Sequence, residues 1–280
     1  MNIKIEIEGL EEISMKIRVI SAVILLAIFI PLLLTGGLPY SVLMLAIALL
    51  GLHELLKIRK TKKDFPFLVE LCAYVLVSFL TFNNYKSQNL SVLMDYRLMS
   101  VMMFVFLSPM VFINNSKKYN LNDALFLTSA TLFVGLSFNL LILLRNFSLT
   151  YVIYLFIISC ISDTFAYITG RYIGRNKLAP LISPKKTIEG LIGGTVMGVI
   201  AGVIYYTTVI NPGIEIGIII FVTLALSLIG QLGDLIFSSI KRYYDVKDFS
   251  NLIPGHGGIL DRLDSIIFIV LGFILFLAVL

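Results

Sequence analysis

The chain has no tryptophan, only two cysteines and two histidines, and few charges, since 14% of its 280 residues are Asp, Glu, Lys or Arg. Cys72 and Cys160 each lie inside an apolar run, so the sequence shows neither a disulfide framework nor a cysteine metal site. Scarce charge and 58% hydrophobic residues exclude a soluble globular domain. Without tryptophan, Tyr and Phe must supply any aromatic belt. The composition is that of an integral membrane protein.

The apolar residues form nine continuous runs. A helix needs about 20 apolar residues to cross a bilayer, and continuous rather than alternating runs disfavour a β-barrel. The sequence therefore predicts an all-α fold, a polytopic helical bundle with about nine transmembrane helices. The predicted segments are residues 19–35, 38–56, 66–82, 98–114, 122–144, 149–170, 188–210, 214–237 and 258–280.

The basic residues are distributed unevenly between the predicted loops. With a cytoplasmic N-terminus, the opposite side holds only Lys86, Arg97 and Arg145 of the 22 Lys and Arg residues. Because cytoplasmic loops are rich in Lys and Arg, we expect this orientation, an external C-terminus, and location in the inner (plasma) membrane of the cell. The same bias explains the net charge of +5, so the partner is the lipid bilayer and no nucleic acid is indicated.

Two parts of the chain differ in polar content. Residues 1–14 carry four Glu and one Lys, and we expect either an expression leader or a short amphipathic segment. Residues 15–280 are expected to form a single transmembrane domain. Within it, residues 15–148 form the N-terminal helices, which have few candidate functional residues, and residues 149–280 form the catalytic helices. In the first part, His53 and Glu54 are interpreted as an interfacial anchor at the end of the second helix.

Two aspartates lie within predicted helices. Asp163 is about 21 Å along the sixth helix, at about 1.5 Å per residue, and shares a face with Tyr167 and Gly170. Asp234 lies about one turn before the end of the eighth helix. An ionisable group at membrane depth marks a functional site or a polar cavity by default. A structural contact between helices stays the alternative for Asp163.

The segment before the seventh helix reads Ser-Pro-Lys-Lys-Thr-x-Glu-Gly from Ser183. Ser183, Lys185 and Lys186 suit phosphate binding at a helix start, and a basic anchor with an N-cap at Ser183 or Thr187 is the alternative. Glycines then recur every four residues and predict close helix packing, within one chain or across a homodimer. These are Gly190, Gly194, Gly198 and Gly202.

Residues 238–264 collect basic, acidic and glycine residues between two apolar segments. A membrane protein has little reason to gather such chemistry at one edge unless a polar ligand binds there. The fixed positions are Ser238, Lys241-Arg242, Lys247-Asp248, Pro254, His256-Gly257-Gly258, Asp261-Arg262 and Asp264. This string resembles the signature of CDP-diacylglycerol synthases, the phosphatidate cytidylyltransferases. The motif Asp-x-x-Ala-Tyr-x-x-Gly from Asp163, and the motif from Ser183, also resemble that family.

The resemblance implies transfer of a cytidylyl group from CTP to phosphatidate, giving CDP-diacylglycerol and pyrophosphate for phospholipid biosynthesis at a cytoplasmic-edge site. Two anionic substrates call for Mg²⁺ on carboxylates and for basic side chains. Two divalent ions or an added monovalent ion stay open. The expected metal ligands are Asp234 and Asp261, then Asp264 and Asp163.

Other roles follow from the same resemblance. The expected catalytic residues are Asp234, Asp261, Asp264, Lys241 and Arg242. The expected substrate-binding residues are Ser183, Lys185, Lys186, Lys247, Asp248, His256 and Arg262. Backbone N–H groups of Gly255, Gly257 and Gly258 are expected to face a phosphate.

Two alternatives stay open. The first is a related CTP-dependent lipid enzyme, a polyprenol or phytol kinase, which should not contain the full set of polar residues found in 238–264. A transporter or channel would use the aspartates as a cation path, and it predicts acids spread across membrane depth. Here the acids gather near one edge.

Overall fold

A computed structural model describes residues 2–61, 63–83, 85–87, 96–113, 115, 117–211 and 213–277, with side chains from residue 16 onward except at residue 96. This part of the chain contains helices and one small antiparallel sheet. The helices are α1 (Asn2–Thr35), α2 (Gly37–Lys60), α3 (Phe67–Phe82), α4 (Tyr96–Leu107), α5 (Pro109–Ile113), α6 (Leu121–Phe147), α7 (Leu149–Tyr172), α8 (Ile188–Tyr205), α9 (Ile216–Tyr243) and α10 (Leu260–Phe276). The strands are β1 (Lys177–Ala179) and β2 (Ser183–Thr187), paired in one hairpin.

The nine predicted segments coincide with helices, which confirms the all-α fold. The fourth segment is divided into α4 and α5, and a π-helical turn at residues 206–210 continues α8. Residues 114 and 278–280, at the ends of two predicted segments, lie outside the described residues, as does residue 1. Among the described residues, six segments are long and apolar enough to span a membrane. They are residues 16–35, 37–60, 121–147, 149–172, 188–210 and 216–243.

Polar contacts tie several helix ends together at one edge of the bundle. The Arg145 guanidinium, at the end of α6, donates to the carbonyls of Leu33 at 2.5 Å and Leu34 at 2.7 Å, at the end of α1. The Asn139 amide donates to the Thr81 carbonyl at 3.0 Å, at the end of α3. The C-terminal ends of α1, α3 and α6 therefore meet.

A second set of contacts lies at the opposite edge. The buried Asp123 carboxylate accepts hydrogen bonds from Arg59, at 2.6 Å, and from Lys63. Asp123 also belongs to a capping box with Asn120 that begins α6. The Tyr119 hydroxyl donates to the carbonyl of Phe106, near the end of α4, at 2.8 Å. The ends of α2 and α4 thus meet the start of α6, as alternating helix directions require.

The glycine stripe of α8 packs inside the chain. A Cβ on Gly194 would lie 2.5 Å from the Ser162 carbonyl oxygen, and a Cβ on Gly198 would lie 2.1 Å from the Ser162 hydroxyl, so α8 approaches α7 at backbone distance. Small polar pairs join this contact to α9, including Ser162 with Ser227 at 2.8 Å. The alternative of packing within one chain is the one that the structure uses.

Candidate active site

One edge of the bundle contains an open cavity of about 720 Å³. Its walls come from the C-terminal halves of α7 and α9, the β-hairpin, the start of α8 and the first turns of α10. Nine residues predicted from the sequence line it: Asp163, Lys185, Lys186, Asp234, Lys241, Asp248, Asp261, Arg262 and Asp264. Ser183, Arg242, Lys247 and His256 do not belong to the lining.

Two of the cavity carboxylates, Asp163 and Asp264, are held by hydrogen bonds rather than by ion pairs. The Ser265 hydroxyl donates to Asp163 at 3.5 Å, and the Ser265 backbone N–H donates to Asp264 at 2.9 Å. Within the described part of the chain, neither carboxylate forms an ion pair. Asp234 interacts electrostatically with both. Like charges are thus held together, a costly arrangement that a cation would relieve.

Asp234 links α9 to the β-hairpin. Its carboxylate pairs with the Lys186 ammonium at 2.5 Å and accepts a long hydrogen bond from the Ser238 hydroxyl at 3.4 Å. Both partners of the ion pair are partly open to solvent. An exposed ion pair contributes little to stability, so Lys186 is held only weakly and can exchange Asp234 for another anion.

Asp261 is held much more firmly. Its carboxylate accepts from the Lys241 ammonium at 2.7 Å and from the N–H groups of Phe249 and Gly258, each at 2.9 Å. The Asp261 side chain is only 3% exposed. Gly258, whose N–H was expected to face a phosphate, lies just before α10 and donates to Asp261 instead.

The segment before α10 is a tight turn. Its form is a type II β-turn, with Pro254 second, Gly255 third at φ +75°, and the His256 N–H donating to the Ile253 carbonyl at 2.9 Å. The Gly257 N–H donates to the same carbonyl at 3.1 Å. This N–H group is therefore also used within the loop, so the turn is built before any ligand binds.

The loop between α7 and the hairpin is fixed by an acid at the start of α8. The Glu189 carboxylate accepts from the backbone N–H groups of Arg175, at 3.1 Å, and Asn176, at 3.2 Å. The Thr187 hydroxyl caps α8 by accepting from the Gly190 N–H at 3.1 Å. Of the two N-cap positions left open, Ser183 and Thr187, the structure uses Thr187, and the strand that ends there carries Lys185 and Lys186.

Other predicted residues form hydrogen bonds that fix the loops around the cavity. The Arg242 guanidinium donates to the Ile182 carbonyl at the hairpin tip, at 3.2 Å. The His256 imidazole bonds to the Ser21 hydroxyl of α1 at 2.8 Å. Arg262 lines the cavity while donating to the His256 carbonyl at 2.7 Å. These residues shape the loops around the cavity, and their direct roles toward a substrate stay predictions.

Sequence reasoning missed the part played by Glu54. His53 is exposed and bonds to Tyr74 at 2.9 Å, as suits an interfacial anchor. Glu54 is instead buried, and its carboxylate accepts from the N–H groups of Ile259 and Leu260 at the start of α10. An acid inside an apolar run was the only signal, and it does not reveal a partner about 200 residues away.

The acidic groups fit a magnesium ion that a substrate helps to hold. The described residues contain no ready-made group of three or more His, Cys, Asp or Glu that could hold a metal alone. However, Mg²⁺ usually binds one or two carboxylates and completes its shell with phosphate oxygens and water. Asp163, Asp234 and Asp264 offer such oxygens in one cavity. Asp261 would have to release Lys241 to take part.

The fold and the cavity define a polytopic integral membrane protein with carboxylates and basic side chains gathered at one edge. The family model described as "Cytidylyltransferase family" matches residues 16–280. The chain belongs to the cytidylyltransferase family.

Three similar proteins are each named phosphatidate cytidylyltransferase. The Staphylococcus aureus protein is 37% identical over 91% of this chain and 96% of its own length. The Staphylococcus haemolyticus protein is 36% identical over 91% of this chain and 96% of its own. The Bacillus subtilis protein is 35% identical over 92% of this chain and 95% of its own. The similarity therefore covers the helices of both halves.

Proposed function

We propose that the protein transfers a cytidylyl group from CTP to phosphatidate, giving CDP-diacylglycerol and pyrophosphate for phospholipid biosynthesis. The observation that carries the proposal is the cavity lining, in which carboxylates and basic side chains from α7, the hairpin, α9 and α10 meet. The names of relatives that align along 91% of the chain support the same reaction.

The reaction exchanges one phosphorus–oxygen bond for another. A phosphate oxygen of phosphatidate forms a bond to the α-phosphorus of CTP, and the bond from that phosphorus to the β-phosphate bridging oxygen breaks. Pyrophosphate leaves with the bonding electrons. The attacking oxygen is already an anion, so no strong base is required, and catalysis rests on positioning and charge neutralisation.

The basic side chains of the cavity perform that neutralisation in our proposal. Lys186 lies on the strand that faces Asp234, and its partly exposed ion pair can be exchanged for a phosphate at small cost. Lys185 and Arg262 also line the cavity. Lys241 is held between Asp261 and the Phe249 ring, 5.4 Å from the ring centroid, so it supplies a fixed positive charge.

The proposed cofactor is Mg²⁺, held by Asp234 and Asp264 with Asp163 and Asp261 as further ligands. When bound, it would neutralise phosphate charge as a Lewis acid. Asp163 and Asp264 favour this assignment because they share the cavity and, among the described residues, neither forms an ion pair. Asp248, at the cavity wall, is proposed to contact the substrate.

The proposed topology has nine membrane crossings, a cytoplasmic N-terminus and a cytoplasmic active site in the plasma membrane. The paired helix ends at two edges support the alternation. Beside the cavity, α7 exposes Tyr167 and Tyr172. We propose that phosphatidate keeps its acyl chains in the bilayer there while its headgroup enters. The glycine stripe is used within one chain, so it gives no support to the alternative of a homodimer.

The alternatives are less well supported. The relatives that align along most of the chain are named for cytidylyl transfer rather than for a lipid kinase activity. A cation path would need acids through the membrane, whereas Asp163, Asp234, Asp261 and Asp264 line one cavity.

The proposal is tested with purified protein, phosphatidate, CTP and Mg²⁺. We expect CDP-diacylglycerol and pyrophosphate in equal amounts, and loss of the reaction when EDTA removes the metal. Asp234→Ala and Asp264→Ala should each lower kcat by about 10²-fold or more, a loss of the size expected for a group that stabilises transition-state charge.

Glu70→Ala is the matched control, because Glu70 pairs with Lys60 at 2.9 Å away from the cavity. A product pair of CDP and a phosphorylated isoprenoid alcohol would establish the kinase alternative. Full activity of both aspartate variants at equal expression would refute the metal assignment.

A further inference from the structure

Glu54 of α2 is a buried carboxylate that accepts hydrogen bonds from residues within 249–260, the later part of the loop between α9 and α10 together with the first residue of α10, here called the signature loop. Glu54 lies in the first half of the chain, and the residue is 1% exposed. One carboxylate oxygen accepts from the Ser250 hydroxyl at 2.6 Å and the Ile259 N–H at 2.8 Å. The other accepts from the Leu260 N–H at 2.9 Å. A buried carboxylate is tolerated in the interior when hydrogen bonds compensate it, and both oxygens of Glu54 have them.

The contact replaces a missing local cap. The residue before α10, Ile259, makes no side-chain capping hydrogen bond. The first amides of a helix need acceptors, and the positive end of the helix dipole favours an anion there. Glu54, on α2, supplies the acceptor oxygens and the negative charge. The position at which α10 begins is therefore set by a residue on another helix.

Glu54 and Asp261 accept hydrogen bonds from different amides of the same loop. Asp261 accepts from the N–H groups of Phe249 and Gly258, and Glu54 accepts from the next two amides along the chain. Space is minimal, because a Cβ on Gly258 would lie 2.6 Å from a carboxylate oxygen of Glu54. The geometry of the loop is therefore specified by two carboxylates on different helices.

We propose that Glu54 is a positioning residue of the cytidylyltransferase site, which sets the start of α10 and thereby the places of Asp261, Arg262 and Asp264 in the cavity. Its effect on turnover rests on the proposed function. Its effect on the loop does not, and this separates the two proposals experimentally.

The test compares Glu54→Gln with wild type. Glutamine has the same shape, but its NH₂ group would meet a hydrogen-bond donor where Glu54 presents only acceptors. We expect faster hydrogen exchange of the amides of residues 249–260 in the detergent-solubilised protein without substrate, and unchanged exchange in residues 177–187. In the assay with phosphatidate, CTP and Mg²⁺, we expect kcat to fall about 10- to 100-fold with little change in the KM for phosphatidate.

Glu70→Gln is the matched control and should alter neither measurement. If Glu54→Gln does not fold, Ser250→Ala decides the question, since it removes one donor to Glu54 and leaves the carboxylate in place. A smaller rise in exchange over residues 249–260, with a reduced kcat, supports the proposal. Wild-type exchange and kcat in the folded variant overturn it. An inactive wild type with protected amides in residues 249–260 would instead refute the proposed reaction.

Discussion

Gly258 illustrates how little freedom a single position has in the signature loop. The oxygen and carbon atoms of the Glu54 carboxylate would lie 2.6–2.8 Å from a Cβ at this position. We expect Gly258→Ala to displace the carboxylate and to cost about 1–3 kcal/mol in unfolding free energy, as overpacking usually does. Thermal unfolding in detergent measures the cost. Gly217→Ala is the control, since its Cβ would meet only a Glu215 oxygen at 3.8 Å. Equal stability of the two variants would contradict the expected clash.

Lys241 and Asp261 form an ion pair away from solvent, with side chains 10% and 3% exposed. Removing one partner of a buried pair leaves a charge without compensation and costs about 3–5 kcal/mol. We therefore expect Lys241→Met to be destabilised by about this amount. Denaturant or thermal unfolding, compared with Lys118→Met at an exposed position, checks it. A loss no greater than that of the control would mean that the pair is not a structural contact.

Helices were predictable because long apolar runs leave the backbone no other way to satisfy its hydrogen bonds in lipid. The hairpin at residues 177–187 was not predicted, because its strands are short, contain several lysines and lack alternating hydrophobicity. The break between α4 and α5 was also missed. Short polar strands and short breaks in a helix produce little hydrophobic periodicity, so the sequence does not predict them.

The contact between α7 and α8 carries a prediction of its own. A Cβ on Gly198 would overlap the Ser162 hydroxyl at 2.1 Å, so Gly198→Ala must either rotate that hydroxyl away from Ser227 or push α8 away from α7. Because Asp163 lies one residue beyond Ser162, we expect lower cytidylyl transfer together with a loss of about 1–3 kcal/mol in stability. Activity and thermal unfolding are measured with Gly217→Ala as reference. Wild-type behaviour would show that the helices adjust without moving the cavity.

The two halves of the chain are less separate than the distribution of polar motifs indicated. Residues 149–280 do contribute the cavity lining, but Ser21 bonds to His256 and Glu54 bonds to the start of α10. Local patterns such as periodicity and motif spacing cannot report a contact between residues about 200 positions apart. The candidate lining was predictable from acids and bases in apolar surroundings, whereas its support from α1 and α2 became visible only in three dimensions.

The proposed orientation can be tested on the protein in intact cells. Lys177 begins β1 and lines the cavity, and Lys118 lies in the loop before α6, near Asp123. Lys86 follows α3 near the opposite edge. Single cysteines replace each lysine in a background with Cys72→Ser and Cys160→Ser. A membrane-impermeant maleimide should label Lys86→Cys in intact cells, and Lys177→Cys and Lys118→Cys only after permeabilisation, because basic loops stay in the cytoplasm. Labelling of all three from one side would refute the alternating topology. Reversed labelling would place the cavity outside, where CTP does not reach it.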